Sequence, residues 1–224
     1  FLESETPYLQ KVFKNIIFMP LYKGKIRPNF SNLIVDDSYN KLYSKKKRIA
    51  IRVLFSVELY KSLICHRRLL FHKNMFLSCI KQQIHRQIIK QIIKKNPSTF
   101  TEGTTIYSYW FNAPVYAFIS LREKYGLKYS VVCRAHRWDV YDENGEMPYR
   151  KYCIENIDKI FPISQDACNY FGKKYGHNDK YVLARLGVQK RNATTRASTK
   201  NNFHVLTISQ LIKRKRVDLA LEAI

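Results

Sequence analysis

The sequence predicts an α/β protein built on a parallel sheet. Three observations carry this. From about residue 104 onward, short apolar or β-branched runs alternate with amphipathic stretches of helical length, the order a parallel sheet with crossover helices requires. Gly, Pro and Ser punctuate the alternation at element ends. Polar side chains cluster directly after several apolar runs, where open α/β sheets present their ligand sites.

The bulk numbers set the limits. A chain of 224 residues holds one large domain, or one domain and a piece of another. Its 46% hydrophobic content supports a core and excludes a disordered chain. A formal net charge of +23 points to an anionic partner: nucleic acid, an anionic membrane surface or a phosphorylated substrate. No apolar run approaches the roughly 20 residues that span a bilayer. Ile16-Ile17-Phe18-Met19 is too short for a signal-peptide core. The cysteines, at 65, 79, 133, 153 and 168, are odd in number and show no Cys-x-x-Cys spacing. That pattern predicts neither a disulfide framework nor a zinc site and fits a reducing cytoplasm. Asn192-Ala193-Thr194 matches a glycosylation acceptor but reads as loop composition. The chain opens without Met and closes inside a helix-like stretch, so a fragment is expected.

Taken in order, residues 2–13 read as a short helix with acids toward its N-terminal end. Asn15–Pro20 reads as a short strand stopped by Pro, and Leu33-Ile34-Val35 as another, within a mostly loop-like 21–40. Residues 41–100 hold fifteen Lys or Arg and one acid, Glu58. Ile80, Ile84, Ile88 and Ile92 recur four apart, joined by Ile89 and Ile93, and predict a helix ended by Pro97. The region is either two core-packing helices with a solvated basic face, or a basic amphipathic surface held against anionic lipid; nucleic acid is the weakest of the three readings. Beyond it come strand Thr104–Tyr109, helix Ala113–Tyr125 closed by Gly126, strand Lys128–Cys133, a loop over 140–149 and a helix over Tyr149–Asn156. Strand Lys159–Ile163 leads to Ser164 as the N-cap of helix Gln165–Tyr175, followed by strand Tyr181–Ala184. Residues 189–202 read as a linker. A fresh unit starts with strand Phe203–Ile208 and a helix from about Val217.

Four stretches carry candidate chemistry. Arg134, His136 and Asp139 follow an apolar strand. A neutral imidazole there can hydrogen-bond a substrate hydroxyl or bridging oxygen, or it is a satisfied loop histidine beside an Arg–Asp pair. Ser164 at a helix start can help bind phosphate or serve only as a cap. Arg185 contacts a phosphate or is simply exposed. Ser209 through Asp218 follows a strand and precedes a helix, so Lys213, Arg214, Lys215 and Arg216 sit beside a positive helix end suited to a diphosphate, or they form a solvated basic turn. There is no Gly-rich dinucleotide fingerprint, no P-loop and no hydrolase elbow.

The order of these motifs is informative. Arg134-Ala135-His136…Asp139, then Ile160-Phe161-Pro162-Ile163-Ser164, then Arg185-Leu186-Gly187-Val188, then Lys215-Arg216-Val217-Asp218-Leu219 resembles the family-4 glycosyltransferases, closest to bacterial members that assemble exopolysaccharide, capsule or O-antigen. The opening Phe1–Glu5 with Tyr8-Leu9 resembles that group's first helix. The resemblance implies the GT-B fold: 1–188 as a Rossmann-like acceptor-side domain, 189–202 as linker, and 203–224 as the first strand and helix of a second, donor-binding Rossmann-like domain. It implies retaining transfer of a hexose from a nucleotide diphosphate sugar to a lipid-linked saccharide, without an essential metal or other cofactor, at the inner face of the cytoplasmic membrane. By motif, His136 lies against the donor sugar as the catalytic residue, and Lys215 neutralises the diphosphate. Arg134 and Asp139 shape the loop around His136; Ser164 and Arg185 support the cleft. Where the family often carries Arg, this chain has Gln210, which hydrogen-bonds a phosphate but does not neutralise it; Arg214 is the candidate substitute. The family's paired-glutamate donor motif and its first Gly-rich loop are not in this sequence, so the fragment alone is expected to be inactive. The competing expectations are a non-catalytic polyanion or nucleic-acid binder, from charge alone, and an inactive truncated pseudoenzyme, which Gln210 and the early stop allow.

Overall fold

The computed structural model describes residues 2–22, 33–65, 73–142, 147–187 and 206–224. The chain divides into two compact units, Phe1–Val188 and Gln189–Ile224. Each is taken by itself.

The first unit is mixed α/β with two short parallel sheets. Helix α1 spans Leu2–Val12. Strands β1 (Ile16–Phe18) and β2 (Leu33–Val35) pair in parallel. The basic region that follows is more broken than the two predicted helices: α2 (Ser38–Ser44), α3 (Lys46–Leu54), α4 (Val57–Cys65) and α5 (Lys73–Lys95). Local hydrogen bonds explain the breaks. The Asp36 carboxylate accepts from the Ser38 amide at 2.8 Å and opens α2. Ser56 Oγ accepts from the Leu59 amide at 3.3 Å and opens α4.

Helix α5 is the long one, and its isoleucine periodicity has the predicted outcome. Ile88, Ile89, Ile92 and Ile93 are buried against the core, each stabilising by roughly 2 kcal/mol. The same helix also buries polar side chains. Gln83 Nε2 donates to Tyr116 Oη (3.1 Å), Arg86 Nε to Ser120 Oγ (3.0 Å), and Gln82 Nε2 to the Pro148 carbonyl (2.8 Å). His85 Nδ1 meets the Tyr39 hydroxyl, with Tyr39 and Tyr43 stacked on its ring. Burial, aided by Lys81 and Lys46, pulls the His85 pKa down to about 4.

The second sheet positions the candidate site. Strand β3 (Thr105–Ser108) leads to α6 (Ala113–Tyr125), β4 (Ser130–Ala135), the single turn α7 (Arg137–Val140), α8 (Arg150–Asn156), β5 (Lys159–Pro162) and α9 (Gln165–Tyr175). The strands run parallel in the order β3-β4-β5. Gly126 closes α6 at φ 61°, a left-handed position that suits Gly, while the Leu127 amide returns to the Arg122 carbonyl at 2.9 Å. The segment predicted as strand Tyr181–Ala184 lies along β5 through a bridge to Ile160 and two amide bonds, Val182 to Ile160 and Ala184 to Pro162, both 2.9 Å.

In the second unit, helix α10 spans Val217–Glu222, near its expected start. The strand expected over Phe203–Ile208 is not formed where it is described. Leu206–Ile208 are exposed and irregular; a strand needs a ladder partner, and the described residues of this unit contain no other strand. Residues 203–205 and the expected linker 189–202 lie outside the described residues.

Candidate functional site

Parallel pairing brings the ends of successive strands to one edge. Ser108 is in register with Cys133, and Ala135 with Pro162. Tyr109 and Trp110 therefore follow β3, His136 follows β4, Ser164 follows β5, and Arg185 follows the 181–184 extension, all at the carboxyl edge where α/β sheets hold ligands.

His136 is the best-defined member. Its ring lies 4.3 Å from that of Trp110 and 5.1 Å from that of Tyr109, centroid to centroid. It is 7% exposed. The ring occupies the capping position of α7, toward the Asp139 amide, but that proton goes to the His136 carbonyl (3.1 Å). The buried Nδ1 is left without a hydrogen-bond partner among the described residues. Burial first, and the Arg134 cation second, lower the His136 pKa against the opposing Glu5 carboxylate. Burial thus disfavours the charged form of the ring at this edge.

Asp139 holds the loop from beneath. Its carboxylate accepts from the His136 amide at 3.0 Å and from the Phe111 amide at 2.6 Å. The Asp139 backbone carbonyl accepts from the Arg150 guanidinium, which lies 4.6 Å from the Phe111 ring centroid. An Arg134–Asp139 pair is one option the sequence offers. The structure pairs Arg134 elsewhere. Its Nη2 lies 2.5 Å from Glu5 Oε1, its Nη1 donates to the Ala184 carbonyl (2.5 Å), and its Nε donates to Tyr107 Oη (3.3 Å), which in turn donates to Glu5 Oε2 (2.8 Å). Arg134 clasps α1 and the 181–184 segment and supports the site from there.

Ser164 is an N-cap as expected, its Oγ accepting from the Ala167 amide at 3.2 Å. Its hydroxyl proton remains to donate. Arg185 is exposed. In the other unit, Gln210 and Lys215 are exposed. Lys213–Lys215 form a 3₁₀ turn, and Arg216 at φ 46° starts α10, its Nε 3.6 Å from Asp218. The side chain of Arg214 lies outside the described residues.

Glu5, Tyr107, Tyr109, Trp110 and Arg150 are the contributors sequence reasoning did not single out. Tyr109-Trp110 carried a usable signal, since they stand at a strand end just as His136 does. Glu5 and Arg150 did not, because their partners are distant in the chain. Cys133, on the strand beneath His136, is held protonated chiefly by burial and is no nucleophile. Among the described residues no group of three or more His, Cys, Asp or Glu is arranged to hold a metal. A shallow concavity lies between α9 and residues 178–183, lined by Gln165, Cys168, Asn169 and Lys173 among others.

The first unit is thus an α/β body with a polar and aromatic cluster at its sheet's carboxyl edge. Comparison with protein-family models, with curated proteins and with solved structures gives no match to this chain.

Proposed function

We propose that this chain is the acceptor-side part of a GT-B glycosyltransferase that moves a hexose, with retention, from a nucleotide diphosphate sugar to a lipid-linked saccharide in surface-polysaccharide assembly at the inner face of a cytoplasmic membrane. The observation that carries the proposal is His136: an imidazole held at the carboxyl edge of the central strand of a parallel sheet by the rings of Tyr109 and Trp110 and by the Asp139 carboxylate. The motif order of the sequence supports it.

In this reading His136 hydrogen-bonds the donor sugar beside the reacting carbon and adds no charge of its own. Its tilted contacts with Tyr109 and Trp110 restrict the ring, and Asp139 holds its backbone. Lys215 and Arg214 take the charge that develops on the leaving diphosphate, as cationic clamps do in phosphate transfer. Gln210 contributes a hydrogen bond to the same group. Ser164 and Arg185 border the cleft at neighbouring strand ends.

The test is transfer by the protein that carries this chain, offered a panel of labelled nucleotide diphosphate sugars and lipid-linked acceptors. His136→Ala is expected to lower kcat by about a hundredfold or more, the scale for losing one well-placed hydrogen-bonding group at a reacting centre, in protein shown by its unfolding curve to be folded under the assay conditions. Lys215→Ala is expected to lower kcat/KM for the donor. Unchanged turnover by His136→Ala overturns the catalytic assignment. No transfer from any donor, together with tight RNA binding that falls steeply with salt, favours the polyanion-binding reading instead.

A further inference from the structure

The α3–α4 corner combines two properties that rarely share a surface. In α3 the buried Ile49 and Val53 mark the inner face. At about 100° per residue, Ile51 and Leu54 fall on the opposite side, beside Lys47 and Arg48. In α4 the buried Leu59 and Ser62 mark the inner face, and Val57, Tyr60 and Ile64 fall outward with Lys61. Both helices pack on α5, so their outer faces turn away from the same support. The tip between them is Phe55, 80% exposed, and Ile64 is 71% exposed. Lys45 through Arg48, Arg52 and Lys61 are all exposed around this apolar strip.

The charge on this corner is of one sign, and the fold keeps it so. Glu58 is the one acid between Ser38 and Lys95. It turns away from the outer face toward Lys124 (3.0 Å) and Arg86 (3.6 Å). The hydrogen bond from Lys124 is the largest cause holding its carboxyl down at about 2. Asp37, just before α2, is 2.8 Å from Lys41.

We propose that this corner is an insertion element for an anionic lipid bilayer: Phe55 and its apolar neighbours enter the acyl boundary while the ring of cations meets the headgroups. Nucleic acid would answer the charge but leave the aliphatic Ile51, Leu54, Val57 and Ile64 without a role. A second copy would bring like charge against like. An anionic bilayer satisfies both halves of the surface at once. No helix of the described residues is long and apolar enough to cross a membrane, so the chain lies on the surface through this corner. The proposal stands apart from the transferase reading, because vesicle binding is read without donor or acceptor.

The experiment is flotation of the 224-residue chain with vesicles of phosphatidylcholine alone or mixed with phosphatidylglycerol. Binding is expected to the mixed vesicles and to be weak on the neutral ones. Ile51→Ser with Phe55→Ser is expected to weaken binding about a hundredfold, from roughly tenfold per apolar side chain withdrawn. Neutralising Lys47, Arg48, Arg52 and Lys61 to Gln is expected to weaken it roughly fivefold per cation at low salt. Phe55→Trp supplies a gain of signal: its added emission should shift blue and be quenched by acyl-brominated lipid, relative to the parent with Trp110 and Trp138. Equal binding to both vesicle types overturns the proposal. So does full binding by the double serine variant, or an unquenched Phe55→Trp on bound vesicles. Preference for an RNA oligomer, unaffected by the serine substitutions, assigns the charge to nucleic acid instead.

Discussion

Replacing Asp139 with Ala removes one carboxylate and strands three groups. The Phe111 amide at 2.6 Å and the His136 amide at 3.0 Å lose their acceptor. Arg150, only 4% exposed, loses a nearby opposite charge. A buried N–H without a partner costs about 1–3 kcal/mol, so the two amides alone account for roughly 2–6 kcal/mol. Against a typical total of about 5–15 kcal/mol, a loss near 4 kcal/mol leaves the fold marginal. Asp139→Asn keeps one acceptor oxygen and turns an NH₂ toward the other amide, so about half that loss is expected. The pair of variants also has a pH signature. Burial raises the Asp139 pKa above the usual carboxylate value despite its hydrogen bonds. The native state therefore holds its proton to higher pH than the unfolded chain, and stability from this group falls as pH rises through that window. Asn does not titrate, so the wild-type advantage over Asp139→Asn should shrink as pH rises from 4 through the shifted value. Urea unfolding with linear extrapolation measures both effects. A cost below about 1 kcal/mol for Asp139→Ala would refute the claim that this carboxylate organises the loop.

His85 predicts an acid-side loss. Its pKa is about 4 in the fold, against an ordinary 6.5, so the unfolded state binds more protons between these values and stability falls as pH drops through them. About 3 kcal/mol is at stake, from roughly 1.4 kcal/mol per pKa unit, and urea unfolding at pH 7 and pH 4 of His85→Gln beside the parent isolates it. Gly126→Ala should lower stability by about 1 kcal/mol. No heavy atom lies within 4 Å of the added Cβ at φ 61°, so the cost is backbone strain; an unchanged thermal midpoint would show that α6 ends differently. Ser164→Ala should cost about 1 kcal/mol through the lost cap, and Ser164→Asp should recover most of it; failure of Asp to recover stability would mean the hydroxyl has another task.

Some of this structure was legible because its cause is local. Ser164 caps α9 with a bond to Ala167, three residues on. Gly126 ends α6 by its own backbone freedom, and the isoleucines of α5 repeat at helical spacing. Other parts depend on chain segments that no local pattern joins. Arg134 reaches Glu5 and Ala184 rather than Asp139, and Arg150 reaches the Asp139 carbonyl across the loop. The same limit explains the predicted strand at 203–208: its β-branched composition is genuine, but a strand is completed by its partner. Of the candidate site, the sequence marked His136, Ser164 and Arg185 at successive strand ends. The aromatic walls and the ion-pair clasp came only with the fold.

The buried polar side chains of α5 bear on a problem of alignment. An isoleucine ladder spaced by four is nearly self-similar: sliding the helix by four residues, about 6 Å, brings Ile84, Ile88 and Ile89 to the places of Ile88, Ile92 and Ile93 and keeps much of the hydrophobic contact. The Gln83–Tyr116, Arg86–Ser120 and Gln82–Pro148 bonds do not survive that slide, because the arriving Cys79, Gln82 and Ser78 are shorter than the side chains they would replace. They act as notches on an otherwise smooth rail. Fixing α5 fixes α6 and, through it, β4 and the strand end where His136 stands; an apolar substitution at Gln83 would keep the core full and leave the alignment of that edge less sharply defined.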